Sequence, residues 1–553
     1  MRGASVVAFV LVVGAAALLR LWHVGDPSLW WDEIVHVHSA AGPGFADVWR
    51  TVREGVPPGF GNAGAVPLDY LLLHAWLRLV AEPAAEGLET YYRVPAAFWS
   101  AATVAVLFLY ARRYFDLTTA VLSSLLVAVS IPHVLYAVEA RSYALFSLVT
   151  VLDLWAFSRL VVRRGERGWL LFILGGAAVF LSGVPGLFLV ALQHTVLGVL
   201  FLRARREIGW TPLVRLVASA ALIGGMVVLY YYDSIWWAKY GRGREVLIEP
   251  LTMHALRTFA YRSPVLLGLF FASLPATLWY GWRRGVGRFA IALYLVLSFL
   301  SIPALIGLAR EKEYYFHFRH ALFMLPHFDL VIALGFATAF RAVDPLRFAF
   351  RSPAARTAGN VVLGALVILA LQGGTAIAYL RDPDPFLAES KTLRDLRGLM
   401  GDLQGRLAGM APGDKYLLIV ERRRPGHLAN PSLAEYLGWH GLTDHVVLFG
   451  TDRPEDTLAE LRNLCRDGCA RRDIEAVASE LRLSPPFGIR PEIRALLGVA
   501  TNPGGTTARL AGVGVVYWDR PAGRAPGRFR GYTVSARRGL TWYDLRGFPP
   551  PAA

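Results

Sequence analysis

The chain has 553 residues, 55% of them hydrophobic, and its apolar residues are gathered in long blocks. This composition excludes an ordinary soluble protein, because runs of about 18 or more apolar residues are long enough to cross a bilayer. The formal net charge of +16 does not indicate a nucleic-acid partner. Arginines concentrate in the cytoplasmic loops of membrane proteins, and the sequence has no basic stripe with recognisable readout chemistry.

The first apolar run, residues 5–22, follows a short basic start. Its small residues would also suit a signal peptide. We favour an uncleaved transmembrane helix, because further apolar runs follow and no clear cleavage site is present. A cytoplasmic N-terminus then places Asp32 and Glu33 on the outer side of the membrane.

Residues 66–81 form a shorter apolar segment that contains Asp69, His74 and Arg78. We interpret it as a re-entrant or juxtamembrane helix, because the later basic loops then fall on the cytoplasmic side. The topology has about eleven spans, the last at 359–380. The arginines that set this orientation are Arg112, Arg113, Arg159, Arg163, Arg164, Arg167, Arg203, Arg205, Arg206, Arg283, Arg284, Arg288, Arg341, Arg347, Arg351 and Arg356.

The part that follows the last span, residues 381–553, is predicted to be a soluble extracytoplasmic α/β domain. Apolar runs at 415–420, 444–450 and 512–518 are typical of buried strands, and residues 454–465 and 471–483 have helical periodicity. The domain contains no nucleotide-binding loop, Gly-x-Ser-x-Gly motif or zinc motif. Its only two cysteines, Cys465 and Cys469, suit either a local disulfide or two free thiols on a helix.

An acidic pair, Asp32 and Glu33, lies in the stretch "SLWWDEIVHVHSA" shortly after the first span. Pro27 and Ser28 favour a turn and a helix start, so residues 29–41 are predicted to form a helix at the membrane surface. Carboxylates favour helix N-termini. The pair is therefore either a solvated helix start or part of a reaction site.

A second group of ionisable residues interrupts the apolar segment 131–149, where Glu139, Arg141 and Tyr143 occur together. Ionisable groups at a membrane boundary are costly unless they are paired or solvated, so they are functional candidates. The alternative is a Glu139–Arg141 pair that only marks the turn. The predicted topology places this loop on the same side as Asp32.

A third group, in "EKEYYFHFRHALFMLP", brings Lys312, Tyr315, Arg319 and His320 close to the membrane on the same predicted side. Arg and Lys with hydroxyl donors suit a phosphate group. The alternative is ordinary snorkelling of long side chains at the interface. Arg93, at the start of another span, is a further phosphate candidate.

Together these motifs resemble the GT-C glycosyltransferases, in the branch of the protein O-mannosyltransferases and the lipid A aminoarabinose transferase. The resemblance covers about residues 1–380 and rests on four segments in the family's order. They are the Asp-Glu of "SLWWDEIVHVHSA", the Arg-x-Pro of "YRVPAAFWSA", the "YAVEARSYALF" segment, and the Arg before the Leu-x-x-Pro span in "FRHALFMLPHFDLVIALG". His194 is displaced from the place of a His-Tyr motif in many bacterial relatives, and the C-terminal domain has no counterpart that we identify.

The resemblance implies transfer of a sugar from a polyprenyl-phosphate donor, typically with inversion, to an acceptor on the outer side. It implies Asp32 as the base, Glu33 as a residue that orients the acceptor or holds the loop, and Glu139 as a second acid. Arg93, Arg141, Tyr143, Lys312, Tyr315, Arg319 and His320 would then bind the substrate or its phosphate. A divalent metal (Mg or Mn), bound by Asp32 and Glu139, stays open, as does the acceptor: a protein, a lipid or a glycan.

Three other functions compete with glycosyl transfer. A lipid-linked glycan polymerase or ligase would use similar substrates. A flippase-type transporter would place its charged groups near the middle of the bilayer, often with repeat symmetry, whereas here the acids lie at span ends. A scaffold that presents the C-terminal domain would not need Asp32 or Glu139. We predict an enzyme of the inner (cytoplasmic) membrane.

Overall fold

The computed structural model describes most of the chain. The described residues are 2–54, 66–163, 166–231, 248–311, 317–343, 345–346, 350, 352–386, 395–411, 414–421, 431–451, 456–457, 460, 463, 477, 481, 509–518, 533–537 and 540–544. The predicted site residues Lys312 and Tyr315, and both cysteines, lie outside these ranges. Most of the predicted helical segments 454–465 and 471–483 does as well.

The described chain is mostly helical. The helices are α1 (Arg2–Leu21), α2 (Trp31–Ala40), α3 (Phe45–Glu54), α4 (Leu68–Leu79), α5 (Leu88–Tyr114), α6 (Leu117–Val129), α7 (Ile131–Ala137), α8 (Tyr143–Arg163), α9 (Glu166–Ser182), α10 (Leu187–Ile208), α11 (Thr211–Tyr231), α12 (Ile248–Phe259), α13 (Pro264–Arg283), α14 (Val286–Leu297), α15 (Ser301–Glu311), α16 (Leu325–Val343), α17 (Pro353–Ile368), α18 (Gly374–Arg381), α19 (Leu396–Leu407) and α20 (Pro431–Trp439). Short 3₁₀ turns lie at Ala85–Gly87, Val184–Gly186, Ser298–Leu300 and Phe318–Met324, and a π-turn at Leu369–Gly373.

The membrane-spanning helices confirm the predicted polytopic fold. Among the described residues nine helices are long and apolar enough to cross a membrane, or ten if the bent pair α6 and α7 is one span. The shorter apolar helix Arg167–Ser182 is not counted among them, so the described residues contain nine or ten candidate spans where about eleven were predicted. The nine are Gly3–Leu21, Ala85–Tyr114, Tyr143–Val162, Val184–Ile208, Thr211–Tyr230, Pro264–Arg283, Val286–Glu311, Phe318–Val343 and Pro353–Arg381. Helix α4, which falls in the segment predicted to be re-entrant, is not one of them.

Burial separates a central helix from peripheral ones. Of the apolar stretch of Phe318–Val343, 89% is buried, against 22% for Gly3–Leu21. The first is therefore a core helix, whereas the second exposes its apolar side chains as a lipid-facing helix does. Helix α13 packs against α16 through the stacked rings of Phe270 and Phe328, 4.4 Å between centroids. A Cβ at Gly335 would meet the Ser273 hydroxyl at 2.0 Å, so this close approach requires glycine.

The C-terminal part contains a five-stranded mixed sheet. Its strands are β1 (Asp414–Glu421), β2 (Val446–Thr451), β3 (Arg509–Trp518), β4 (Thr533–Arg537) and β5 (Leu540–Asp544), in the order β2-β1-β3-β5-β4. β1 is parallel to β2 and β3, whereas β5 is antiparallel to β3 and β4. The three predicted strands are thus confirmed as β1, β2 and β3, which are nearly continuous buried apolar runs, as expected of parallel strands.

The chain divides into two compact units. The first, which we call the membrane unit, comprises residues 1–24, 39–81 and 92–386. The second unit comprises residues 25–38, 82–91 and 387–553. The units therefore do not follow a single cut near residue 380, because the segment that carries Asp32 and Glu33 belongs with the C-terminal residues.

Candidate functional site

The predicted site residues fall in both units. Asp32 and Glu33 belong to the second unit, and Arg93, Glu139, Arg141, Tyr143, Arg319 and His320 belong to the membrane unit. Each group is described within its own unit.

The acidic helix start is formed by the first turn of α2. Glu33 is fully buried, and its Oε2 accepts a hydrogen bond from the backbone N–H of Trp30 at 3.2 Å. This is the reciprocal half of a capping box, in which an acid in the first turn satisfies the N–H that precedes the helix. Asp32, by contrast, is only partly buried. Of the two carboxylates, Asp32 is therefore the one with access to solvent.

The segment around this helix start is held at three points within the second unit. The Ser28 hydroxyl accepts hydrogen bonds from the backbone N–H groups of Leu396 and Arg397, at 3.0 and 3.3 Å. The Leu29 N–H donates to the Tyr436 hydroxyl at 2.7 Å. His38 contacts Glu435 at 3.2 Å. These anchors lie on both sides of Asp32.

In the membrane unit, the loop between α7 and α8 carries Glu139 and Arg141. Glu139 is 1% exposed, and its carbonyl accepts a hydrogen bond from the Arg141 N–H at 2.7 Å. The Arg141 guanidinium lies 6.0 Å from the centroid of the Tyr143 ring. The tight turn thus places a buried carboxylate and a guanidinium just before the first residue of α8.

The turn at 317–320 adds one further cation, Arg319, and two histidines, His317 and His320. The Arg319 N–H donates to Nδ1 of His317 at 3.2 Å, and the His317 N–H donates to Nδ1 of His320 at 3.3 Å. This arrangement fixes which ring nitrogens are unprotonated acceptors. Burial, with the nearby charge of Arg319 and the ring of His254, lowers the pKa of His317 to about 4, so His317 is neutral at pH 7.

Aromatic rings join the loop to the turn. The Tyr136 ring lies 5.2 Å from that of Tyr143 and 5.7 Å from that of Phe318, and the charges of Arg141 and Arg319 both act on His320. We call Glu139, Arg141, Tyr143, Arg319 and His320 the cationic cluster. These five predicted site residues are brought together, and two guanidinium groups among aromatic rings suit a phosphate.

Arg93 is fully buried and donates from Nη1 to the carbonyl of Val24 at 3.3 Å. A cleft beside the same stretch of α5 is lined by Asp69, Leu73, Tyr92, Pro95, Ala96, Trp99, Ala140 and Arg141. Arg141 therefore belongs both to the cationic cluster and to this cleft. The role of Arg93 in phosphate binding stays a prediction.

Sequence reasoning missed Arg20, which is fully buried near the end of α1. Its guanidinium donates to the carbonyls of Val127 and Ala128, both at 3.0 Å, and contacts His133 Nδ1 at 2.9 Å. The chain bends by 59° between α6 and α7, because Pro132 has no N–H to continue the helix. Arg20 caps the carbonyls left at this break. An Arg inside an apolar run, together with the later Ile-Pro, was the available signal.

A second buried polar group also escaped the sequence analysis. Asp153, in the middle of α8, accepts a hydrogen bond from Gln193 at 2.6 Å and is fully buried. His327 and Asp329 on α16 are buried too, and within the described part of the chain neither ring nitrogen of His327, nor Oδ2 of Asp329, has a hydrogen-bond partner. Single ionisable residues inside long apolar runs leave little trace in a sequence, and only the fold brings them inside.

The described residues contain no group of three or more His, Cys, Asp or Glu side chains that could hold a metal ion. The neighbour of Glu139 in its turn is Arg141, whose positive charge suits an anion better than a divalent cation.

Comparison with known proteins gives one family match. Residues 71–231 match the family described as dolichyl-phosphate-mannose-protein mannosyltransferase, and this segment contains Arg93, Glu139, Arg141 and Tyr143. No curated protein sequence matches the chain.

Solved structures of two kinds are similar to the chain at low sequence identity. ArnT of Cupriavidus metallidurans in the apo state is 14% identical over 98% of both chains, with a TM-score of 0.49. The same protein bound to undecaprenyl phosphate is 15% identical over 98% of this chain and 99% of that one, with a TM-score of 0.43. The Archaeoglobus fulgidus oligosaccharyltransferase tethered with an acceptor peptide is 12% identical over 93% of this chain and 69% of that one, with a TM-score of 0.46.

These TM-scores are too low to support an argument about the site. The family match is therefore the comparison that bears on the predicted resemblance. It covers two of the four segments on which the resemblance rests, the Arg-x-Pro helix start and the Glu139 loop. The predicted resemblance is thereby supported over residues 71–231, which are similar to the dolichyl-phosphate-mannose-protein mannosyltransferases.

Proposed function

We propose that the chain transfers a sugar from a polyprenyl-phosphate donor to a hydroxyl-bearing acceptor on the extracytoplasmic side of the inner membrane. The acceptor oxygen would attack the anomeric carbon of the sugar while the bond from that carbon to the phosphate oxygen breaks. The electron pair leaves with the phosphate, so polyprenyl phosphate is the second product. In-line attack of this kind inverts the anomeric configuration.

Asp32 is the proposed base that takes the proton of the acceptor hydroxyl, because it is the more accessible carboxylate of the pair. Glu33 holds the helix start rather than taking part in proton transfer, since its Oε2 is used by the Trp30 N–H. A catalytic role for Glu33, which the sequence also predicted, is the weaker alternative, and Glu33→Gln tests it.

Arg141 and Arg319 are the proposed groups that stabilise the negative charge on the leaving phosphate. Tyr143 would add a hydroxyl donor, with Arg93, Lys312, Tyr315 and His320 as further phosphate candidates. Glu139 would orient these cations or the sugar. A divalent metal on Asp32 and Glu139 stays a sequence prediction, which the chelator below tests.

The observation that carries the proposal is the cationic cluster. It lies in part within the segment that matches the O-mannosyltransferases, and its Arg319 comes from a turn more than a hundred residues away in the sequence. The Arg141 guanidinium lies 6.0 Å from the centroid of the Tyr143 ring, and the charges of Arg141 and Arg319 both act on His320, so neither is an isolated snorkelling side chain. The similar solved structures were determined with undecaprenyl phosphate bound and with an acceptor peptide tethered, which gives the first substrates to try.

A second candidate function is transport of a lipid-linked glycan. The observation in its favour is that Asp153, His327 and Asp329 are buried inside candidate spans, where ionisable groups often mark a transport path. Asp153→Asn and Asp329→Asn would abolish transport of a fluorescent lipid-linked sugar across a vesicle membrane while leaving donor cleavage intact.

The test is a transfer assay with purified protein in liposomes and a panel of polyprenyl-phosphate sugars, which follows release of free polyprenyl phosphate. Wild type runs beside Asp32→Asn and Glu139→Gln, each with and without a chelator, and with hydroxyl acceptors of peptide, lipid and glycan type. Release that needs an acceptor and is lost in folded Asp32→Asn supports the proposal. Full release by Asp32→Asn would refute the assignment of the base, and release that a chelator stops would add a metal.

A further inference from the structure

The C-terminal residues bond directly to the segment that carries the proposed base. Residues 25–38 and 387–553 belong to one compact unit. The first turn of α19 donates two backbone hydrogen bonds to the Ser28 hydroxyl, and Tyr436 of α20 accepts one from the Leu29 N–H. We propose that the C-terminal domain positions the acidic helix start, and that Tyr436 is the positioning residue. The inference rests on the proposed function of Asp32 as the base.

The Tyr436 hydroxyl makes two hydrogen bonds of opposite sense. It accepts from the Leu29 N–H at 2.7 Å and donates to Oε1 of Glu89 at 2.8 Å. The side chain is 2% exposed, so water does not replace either bond. A hydroxyl is both donor and acceptor. It therefore ties together three parts of the sequence that are far apart: the acidic segment, the start of α5 and helix α20.

The bond to Leu29 acts on the backbone immediately before α2. The Leu29 N–H precedes the first helical residue, Trp31, so it has no acceptor within that helix. Its protection from solvent therefore depends on Tyr436. Because Asp32 lies in the first turn of α2, the direction in which this turn leaves Leu29 sets where the carboxylate stands. Misplacement of a reacting group by about 1 Å can lower a rate by as much as about 10²-fold.

The same unit contains a matched control, Tyr416 in β1. Its hydroxyl donates to Oδ1 of the buried Asp544 at 2.9 Å, and Asp544 also contacts Arg406 at 3.3 Å. Glu89 is likewise contacted by Arg397, at 3.7 Å. Tyr416→Phe and Tyr436→Phe thus each remove one buried hydroxyl from a carboxylate that keeps an arginine. Only Tyr436 also holds the acidic segment.

The experiment compares wild type, Tyr436→Phe and Tyr416→Phe in the donor-cleavage assay, together with hydrogen exchange of the peptide that covers residues 25–38. The Tyr436 ring lies 5.1 Å from the Trp439 ring between centroids. Tyr436→Phe keeps this ring contact, so the fold should be retained. We expect Tyr436→Phe to lower kcat by about tenfold with the donor KM unchanged. Exchange at the start of α2 should rise. Tyr416→Phe should change neither.

Equal losses in both variants would overturn the proposal, because they would show general destabilisation of the unit. An unchanged kcat and unchanged exchange in Tyr436→Phe would overturn it as well. The exchange measurement needs no turnover, so it tests the anchoring role of Tyr436 separately from the proposed glycosyl transfer. If wild type cleaves no donor, the proposed function fails, while raised exchange in Tyr436→Phe alone would still support the anchoring role.

Discussion

The acidic helix start and the cationic cluster are organised in different ways. Around Asp32, the hydroxyls of Ser28 and Tyr436 accept hydrogen bonds from backbone N–H groups and Glu33 caps the helix, while Asp32 itself stays accessible. At Glu139, by contrast, the backbone forms a tight turn with Arg141, whose guanidinium lies by the Tyr143 ring, itself in contact with the Tyr136 ring. A general base needs a defined position and a lone pair, whereas a phosphate site needs positively charged side chains held near the phosphate. The two environments fit these two tasks.

Removing the accessible carboxylate should give the largest effect. Asp32→Asn is expected to lower kcat about 10³-fold, the usual contribution of a general base, with little change in the donor KM. The matched control is Asp47→Asn, which changes an acid in the first turn of α3 that pairs with Arg50. An equal loss in both variants would mean that acidic helix starts matter for the fold and not for the chemistry.

A charge taken from the cationic cluster should give the second-largest effect. Arg319→Ala is expected to lower kcat/KM about 10²-fold, because one cation no longer stabilises the leaving phosphate. Arg283→Ala, which removes an exposed arginine over the Trp279 ring at the end of α13, serves as the control. Initial rates at several donor concentrations decide the matter. If Arg319→Ala matches Arg283→Ala, the cluster is an interfacial feature with no role in the reaction.

The two members of the Asp-Glu pair should respond differently to the loss of charge. Glu33→Gln keeps an oxygen that can accept from the Trp30 N–H, and glutamine also serves in capping boxes, so kcat should stay within about threefold of wild type. Glu33→Ala should lower the free energy of unfolding by about 1 kcal/mol, because the capping hydrogen bond is lost. A fall in kcat of Glu33→Gln as large as that of Asp32→Asn would instead assign chemistry to Glu33.

The smallest effect concerns pH. The pKa of His317 is lowered to about 4 from 6.5, so between these values the unfolded chain binds more protons than the folded one. Stability should therefore fall as the pH drops through this window and should not depend on His317 above it. His317→Asn keeps an acceptor for the Arg319 N–H but does not titrate. Thermal unfolding of the variant between pH 4 and 7 should show a shallower dependence, and an identical one would contradict a neutral His317.

Much of the fold was predictable because its signals are local. Long apolar runs indicated the spans, and the observed β1, β2 and β3 lie where short apolar runs predicted strands. The helix predicted at 29–41 is observed at Trp31–Ala40, since Pro27 and Ser28 mark its start within a few residues. Such features depend on neighbours in the sequence, which a periodicity argument can use.

The parts that could not be predicted depend on distant partners. Tyr436 is more than 400 residues from Leu29, and no feature of either residue announces the hydrogen bond between them. The membership of residues 25–38 in the C-terminal unit therefore required the structure. The same is true of Arg20, whose acceptors lie about a hundred residues away at the break after α6. The acceptor's identity has no local pattern at all.

The most direct test of the central claim is the rate of polyprenyl-phosphate release from a pre-bound donor after the acceptor is added, in wild type and in Asp32→Asn at equal donor occupancy. Proton removal by Asp32 predicts that both proteins bind the donor equally and that the variant releases product about 10³-fold more slowly. Equal donor binding with equal release rates would contradict the account, because the accessible carboxylate would then have no part in the reaction.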